Sequence, residues 1–165
     1  MKNKSWEIIN SKVGNLLIEA TNKGVCTIHF MDKTDTPPEY ISANTKTQVN
    51  HLSQLKKELT NYFNGNNKEF DVSLDLQGTE FQIKVWNALL EIPYGTTRSY
   101  KEQSIAVGDL KAIRAVGTAN GKNPIPIVVP CHRVIGSDGS LTGFAGGVWR
   151  KKYLLELESN QLSIF

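Results

Sequence analysis

Cysteine is scarce in this sequence, and no stretch of it is continuously apolar for the length of a membrane span. The 165 residues include only two cysteines, Cys26 and Cys131, which lie far apart in different surroundings. Such a pair does not make a disulfide framework, so we expect reduced thiols and a cytoplasmic protein. The first residues also lack the apolar segment of a secretory signal, and we expect no contact with membranes.

A large excess of one charge is missing as well. The sequence has 19 Lys and Arg residues against 16 Asp and Glu residues, a formal net charge of +3. Residues 1–90 are balanced, so the whole excess lies in residues 91–165. So small an excess is a weak indication of nucleic-acid binding, because most lysines only keep a surface soluble.

Residues 1–77 predict an N-terminal domain of strands and one helix. The segment GNLLIEATNKGVCTIHF predicts two strands joined by a turn at 22–24, with Cys26 as a small core residue. Apolar residues at helical spacing follow, up to Gly65: Val49, Leu52, Leu55, Leu59, Tyr62 and Phe63. The alternating segment FDVSLDL predicts a half-buried strand. Nothing in this domain indicates chemistry.

Residues 78–165 predict a second, mainly helical domain. Thr79 and Gln82 have the spacing of a capping box, which opens a helix. The apolar side predicted for that helix consists of Phe81, Val85, Trp86, Leu89 and Leu90. Ser99 and Glu102 have the same capping-box spacing and open a shorter helix.

A third helix is predicted after a turn at Gly108, with Asp109 as its cap. Helix, short turn and helix is the pattern of a helix-turn-helix, although an ordinary pair of packed helices has the same pattern. The third helix is thin, because it carries the small residues Ala112, Ala115, Gly117 and Ala119. Such a helix packs closely on another helix or lies closely in a DNA groove, where Arg114 can act as a wedge.

The segment NPIPIVVPCHRVIG, residues 123–136, places Cys131, His132 and Arg133 directly after an apolar run that looks like a buried strand. A cysteine beside a histidine is often merely structural, because cysteines are commonly buried. Here Pro130 stiffens the approach to the thiol. A thiol that reacts near neutral pH needs a neighbour that takes its proton or stabilises the thiolate, and His132 and Arg133 are candidates.

A histidine that acts as a base also needs a carboxylate to orient it. Glu156 and Glu158 are the nearest in sequence, on the last predicted helix. The alternative for Glu158 is a solvated helix end.

Four segments together resemble the O6-alkylguanine-DNA alkyltransferases, also called methylated-DNA:protein-cysteine methyltransferases. They are FQIKVWNALLEIPYGTTRSY, RAVGTANGKNPIPIVVPCHRVIG, the PCHRV within it, and GFAGGVWRKKYLLELE. The resemblance implies an α+β fold with a ribonuclease-H-like N-terminal lobe and a helical C-terminal lobe that carries a winged-helix-like helix-turn-helix. It also implies irreversible transfer of an alkyl group from guanine O6, or less favourably thymine O4, to the protein's own cysteine.

The resemblance also implies the roles of individual residues. Cys131 is the acceptor, His132 deprotonates it through a water and Glu158 orients the imidazole, while Asn123 braces the neighbouring turn. Tyr100 donates a proton to guanine N3 and packs near the target phosphate. The implied DNA-contacting residues are Arg114, which fills the space of the flipped nucleotide, with Ala112, Ala115, Gly117, Tyr100 and Arg133. The implied pocket residues are Val134, Phe144 and Ala145.

The sequence differs from the patterns of some relatives at three points. Phe144 replaces a tyrosine of many relatives, Cys131 is not replaced as in non-catalytic alkyltransferase-like proteins, and neither zinc ligands nor an activator domain has a counterpart. We therefore expect no metal or other cofactor, double-stranded DNA as the partner, and a monomer. A lesion-flagging DNA-binding module and a thiol hydrolase are the alternatives, and stoichiometry discriminates them.

Overall fold

The computed structural model describes residues 3–40 and 42–163, with side chains up to Ser159. The chain divides into two compact units, Met1–Gln77 and Gly78–Phe165. Among the described residues, no helix is both long enough and apolar enough to cross a membrane.

The first unit is a three-stranded antiparallel sheet with one helix on it. The strands are β1 (Ser5–Ile9), β2 (Leu16–Ala20) and β3 (Val25–Phe30), in the order β1-β2-β3, and the helix is α1 (Lys46–Phe63). The predicted hairpin is confirmed, with Leu16 paired to Phe30 and Cys26 4% exposed in the core. β1 was not predicted, because its burial does not alternate along the strand and its pairing with β2 defines it.

One prediction for the first unit is wrong. The segment FDVSLDL makes only an isolated bridge between Val25 and Leu74. A side chain takes the place of a ladder there, because the Glu58 carboxylate accepts hydrogen bonds from the backbone N–H groups of Asp71 and Val72. The predicted helix before Gly65 is confirmed as α1, on which Val49 is 41% exposed and Gln48 is buried.

The second unit is mainly helical, with one short parallel strand pair. Its elements are α2 (Glu80–Leu90), β4 (Arg98–Ser99), α3 (Tyr100–Val107), a 3-10 helix (Leu110–Ala112), α4 (Ile113–Gly121), a second 3-10 helix (Cys131–Arg133), β5 (Val134–Ile135) and α5 (Val148–Ser163). Both predicted capping boxes are present, at Thr79 and Ser99. The helix predicted after Asp109 is instead a 3-10 turn, capped by Asp109, followed by α4.

The core of the second unit centres on α2. Phe81 and Leu90 are 37% and 41% exposed, which corrects their predicted burial, whereas Trp86 is 2% exposed. The indole Nε1 of Trp86 donates a hydrogen bond to the carbonyl of Ala119 at 2.8 Å, which ties α2 to α4. Gly108 ends α3 with φ of 96°, a left-handed conformation that glycine adopts without a Cβ clash. The chain therefore turns sharply from α3 into the 3-10 helix that precedes α4.

Candidate active site and DNA-contacting helix

A short parallel strand pair joins two separate parts of the second unit. Arg98 pairs with Val134 and Ser99 with Ile135. Tyr100 begins α3 directly after β4, and the Cys131–Arg133 3-10 helix directly precedes β5. The pairing therefore places β4, which leads into Tyr100, beside β5, which follows the Cys131 segment, although the two strands are far apart in sequence.

The apolar run before Cys131 is not a strand, which corrects the prediction. It forms turns with one isolated bridge between Pro126 and Val129, and Ile127 has a φ of 75°. The prolines remove backbone donors that a ladder would need. The Asn123 side chain supplies hydrogen bonds to this segment in place of a neighbouring strand. Its amide nitrogen donates to the carbonyl of Val129 at 2.7 Å, and its amide oxygen accepts from the N–H of Ile125 at 3.0 Å. Asn123 thus braces the segment that leads to the thiol.

His132 and Glu158 form a buried hydrogen-bonded pair. The imidazole Nε2 lies 2.7 Å from Oε2 of Glu158, and the two side chains are 0% and 1% exposed. An ionised carboxylate only accepts hydrogen bonds, so Nε2 carries the proton in this pair. The other ring nitrogen, Nδ1, is buried and has no hydrogen-bond partner among the described residues. Its lone pair is therefore available to accept a proton.

Of the two candidate carboxylates, only Glu158 lies at the site. Glu156 is exposed and lies 3.9 Å from Lys152 one turn earlier on α5. Glu158 faces inward and is not a solvated helix end. The difference of two positions on a helix places these side chains on different faces.

Arg133 is almost fully buried and paired, so the structure does not support its predicted contact with DNA. Its guanidinium donates from Nε to Oε1 of Glu158 at 2.8 Å and from Nη2 to Oε2 at 3.0 Å. Nη1 donates to the carbonyl of Ile92 at 2.7 Å, and the side chain is 8% exposed. Arg133 therefore neutralises Glu158, and its Nη2 shares the Oε2 oxygen with His132.

Burial sets the resting protonation of the site. It raises the pKa of the Cys131 thiol to about 11, against smaller opposing effects of Asn123 and Lys151. It lowers the pKa of His132, although Glu158 opposes that shift. Burial alone would raise the pKa of Glu158, but hydrogen bonds and charges from His132 and Arg133 hold it well below its usual range. The resting site is a neutral thiol, a neutral imidazole and a carboxylate paired with arginine.

Tyr100 and the 142–147 loop border the thiol segment. The hydroxyl of Tyr100 donates to the carbonyl of Thr142 at 3.2 Å. A Cβ at Gly143, whose φ is 69°, would lie 3.4 Å from that hydroxyl, so the loop passes closely over Tyr100. Burial raises the pKa of Tyr100, which keeps its proton on at neutral pH.

The predicted pocket residues lie at different depths. Val134 is fully buried in β5, Phe144 is half-buried and Ala145 is exposed. Phe144 and Ala145 are part of a turn in which the N–H of Gly147 donates to the carbonyl of Phe144 at 2.9 Å.

α4 and the 3-10 turn before it have one buried face and one exposed face. Arg114 and Ala115 are exposed and Ala112 is half-exposed, whereas Val116, Ala119 and Asn120 are buried. Gly117 lies beside the ring of Tyr100, where a Cβ would be 3.9 Å away. The small residues therefore allow α4 to lie close to the tyrosine and leave Arg114 as the long exposed side chain.

One buried side chain at the site was missed by sequence reasoning. Lys151 is 1% exposed, and its Nζ donates to the carbonyl of Thr142 at 3.0 Å. The available signal was spacing, because Lys151, Leu154 and Glu158 share one face of α5. The described residues hold no cluster of three metal-ligating side chains.

Family models match both units of the chain. The model described as the DNA binding domain of 6-O-methylguanine DNA methyltransferase matches residues 80–160. The model described as its ribonuclease-like domain matches residues 4–76.

Similar proteins cover nearly the whole chain. The methylated-DNA–protein-cysteine methyltransferase of Methanosarcina barkeri is 44% identical over 160 residues, covering 95% of this chain and 98% of its own. The crystal structure of the Mycobacterium tuberculosis O6-methylguanine methyltransferase has a TM-score of 0.82 and 42% identity, covering 98% and 99%. Mycobacterium tuberculosis OGT in complex with DNA also has a TM-score of 0.82, with 44% identity, covering 95% and 94%.

The chain therefore belongs to the O6-methylguanine-DNA methyltransferase family. These matches confirm the predicted α+β fold with a ribonuclease-like N-terminal domain and a helical C-terminal domain. The winged helix-turn-helix stays a prediction.

Proposed function

We propose that this protein repairs DNA by moving an alkyl group from O6 of guanine, or less favourably O4 of thymine, to the sulfur of Cys131, once per chain. The observation that carries the proposal is the buried array of Cys131, His132 and Glu158 in a member of this family. The thiol stays reduced in the cytoplasm, which is the compartment that we propose.

The transfer is a displacement at carbon. The thiol proton passes to Nδ1 of His132, directly or through a water, while Nε2 keeps its hydrogen bond to Glu158. The sulfur forms a bond to the alkyl carbon as the bond from that carbon to guanine O6 breaks, and the electron pair stays on the base. Tyr100 offsets that charge by donating its proton to guanine N3 and regains one from solvent. No metal or other cofactor takes part in these steps.

The neutral resting thiol suits a single-use acceptor. Because the pKa of Cys131 is about 11, the thiolate does not accumulate at neutral pH and does not react with other electrophiles. Proton removal is then coupled to the presence of a base in the pocket. The product is a thioether, which water does not cleave readily, so the protein is consumed.

The lesion reaches the buried sulfur by leaving the helix. A base inside a duplex is out of reach of a side chain that is 9% exposed, so the nucleotide must be extruded. We propose that α4 lies in the minor groove and that Arg114 fills the vacated stack, with Ala112, Ala115 and Gly117 allowing the close approach. Backbone groups of Val134 and Ala145 then bind the base edge, and Phe144 makes the pocket more apolar than a tyrosine would.

Stoichiometry tests this function. Incubation of the protein, as a monomer, with a duplex that carries O6-methylguanine should add one methyl group per chain, on the peptide that contains Cys131. Intact-mass and peptide-mass measurements follow the reaction, and Cys26→Ala should accept one group like the parent. A parent protein that returns to its original mass and continues to turn over is a hydrolase. One that binds the lesion without any gain in mass is a lesion-flagging module.

Arg114→Ala should slow repair of a lesion in duplex DNA by about tenfold or more, because extrusion costs a few kcal/mol and the arginine offsets part of it. Reaction with free O6-benzylguanine, which needs no extrusion, should be nearly unchanged. Single-turnover rates with both substrates measure the difference, and Lys111→Ala, exposed just before α4, is the matched control for loss of charge. Equal slowing on both substrates would assign Arg114 to folding or to the pocket.

A further inference from the structure

Asn120 is a buried side chain whose hydrogen-bonding groups are unused in the described part of the chain. The residue is 4% exposed, and neither its amide nitrogen nor its amide oxygen has a hydrogen-bond partner there. By contrast, the buried amide of Gln103 on α3 donates to the carbonyl of Val85 and accepts from the guanidinium of Arg98. Buried polar groups are nearly always paired, and an unpaired one costs free energy. Asn120 therefore needs a partner that the described residues do not supply.

The position of Asn120 on α4 places its side chain towards Tyr100. One turn earlier on the helix are Val116, which is fully buried, and Gly117, which lies beside the ring of Tyr100. With 3.6 residues per turn, the side chain of Asn120 leaves the helix between these two, about 40° from Val116 and about 60° from Gly117. The amide is therefore on the part of the buried face that is nearest to the tyrosine.

The same end of α4 leads directly into the thiol segment. The N–H of Asn123 donates to the carbonyl of Asn120 at 3.2 Å, and the Asn123 side chain braces the turns that precede Cys131. In the proposed reaction the base contacts Tyr100, and its alkyl group contacts the sulfur of Cys131. A base in that position lies beside the end of α4 that carries the unpaired amide.

The two unused groups of the amide define the kind of base edge that can bind there. A primary amide has donors at nitrogen and an acceptor at oxygen, so a ligand that satisfies both must present an acceptor beside a donor. The N7–O6 edge of guanine has acceptors only. The N2 amine is a donor, and the adjacent N1 becomes an acceptor because an alkyl group on O6 leaves it without its proton. Unmodified guanine keeps the proton on N1 and does not match the amide.

We propose that Asn120 is a specificity-determining residue that binds the extruded base, with its amide nitrogen donating to N1 and its amide oxygen accepting from the N2 amine. The inference rests on the proposed function, since the ligand is the base of that reaction. The amide then favours O6-alkylguanine over guanine and takes no part in the transfer of the alkyl group.

Two free substrates test this contact, because O6-benzylhypoxanthine differs from O6-benzylguanine only in lacking the 2-amino group. The parent should react with O6-benzylhypoxanthine at least about tenfold more slowly, since the amide oxygen is then left unpaired. In Asn120→Leu, which has a similar shape and no polar side-chain atoms, the ratio of the two rates should fall about tenfold. Single-turnover rates are measured with both substrates. Thr118→Val, at an exposed position of α4, is the matched control and should keep the parent's ratio.

The ratio of rates is independent of how much of a variant is folded, because both substrates react with the same folded fraction. Asn120→Ala is the second variant and should show the same fall in the ratio. An unchanged ratio in both Asn120 variants, or a parent that does not discriminate between the two substrates, would overturn the inference. Methyl transfer from DNA to the parent is measured in parallel, because its absence would overturn the proposed function instead.

Thermal unfolding distinguishes a binding amide from a structural one. If the amide is unpaired until the base binds, Asn120→Leu should unfold at the parent's temperature or a few degrees above it, because leucine has no polar group to desolvate. An amide that only stabilises the fold predicts a lower unfolding midpoint in Asn120→Leu together with the parent's ratio of rates. That combination would also overturn the inference.

Discussion

Glu158→Gln should slow alkyl transfer to Cys131 by about 10²- to 10⁴-fold, the usual contribution of a positioned acid or base. Both oxygens of Glu158 accept hydrogen bonds from Arg133, and Oε2 also accepts from Nε2 of His132. A glutamine amide has only one acceptor oxygen, so its NH2 group faces a donor N–H of Arg133 or His132. Arginine cannot give up its proton, but the imidazole can change tautomer. The proton then sits on Nδ1, which can no longer accept the thiol proton.

The double variant shows whether the two residues act as one unit. His132→Ala should slow the reaction about as much as Glu158→Gln, and His132→Ala/Glu158→Gln should be little slower than the slower single variant. Rates are measured with free O6-benzylguanine, which separates this step from DNA binding. Glu156→Gln, at the exposed position two residues earlier, is the matched control and should leave the rate unchanged. Additive losses would mean that Glu158 does not act through the histidine.

Arg133→Met should destabilise the second unit by about 3–5 kcal/mol at pH 8, because it leaves the buried carboxylate of Glu158 without its cation. The parent's arginine makes three hydrogen bonds, two to Glu158 and one to the carbonyl of Ile92. Because the chain divides into two units, hydrogen exchange of peptides from residues 78–163 in increasing urea isolates the free energy of unfolding of this unit. Lys152→Met, which breaks only a surface pair, should leave that free energy unchanged.

The loss should be smaller at pH 6 than at pH 8. Arg133 lowers the pKa of His132, so its removal beside an unbalanced Glu158 raises the histidine's native pKa. A raised native pKa stabilises the fold below the unfolded-state value of about 6.5, and this stabilisation is lost as the pH rises through the native value. Protonated His132 then supplies the missing positive charge, but it can no longer act as a base. A loss of stability that is equal at both pH values would contradict this account.

Local signals in the sequence predicted the elements that depend on neighbouring residues. The capping boxes at Thr79 and Ser99 are satisfied within a few residues of the chain, so their spacing alone was sufficient. The β2–β3 hairpin depends on a short turn and on alternation, which are also local. The segment FDVSLDL is not a full strand because the carboxylate of Glu58, on α1, accepts from the backbone N–H groups of Asp71 and Val72.

The candidate site was only partly readable from the sequence. Cys131 and His132 are neighbours in the sequence, so the sequence alone shows that a thiol and an imidazole occur together. The burial of Arg133 was not visible in the sequence. An arginine close to a reactive cysteine is equally consistent with a surface that binds phosphate and with a buried ion pair. Its partners, Glu158 and Ile92, come from α5 and from the turn after α2, far away in sequence.

The sequence by itself determined the two units, the helices that cap themselves, the reactive cysteine and, by resemblance, the family. Each of these depends on spacing over a few residues or on motifs that stand together in the chain. Only the tertiary structure decided which charges are buried and which apolar side chains are exposed. Arg133 and Lys151 are buried, with hydrogen bonds to Glu158 and to the carbonyl of Thr142. The apolar side chains of Val49, Phe81 and Leu90 are exposed. Burial depends on which distant elements pack against a side chain, and the free energy of desolvating a charge is offset only where those elements supply its partners.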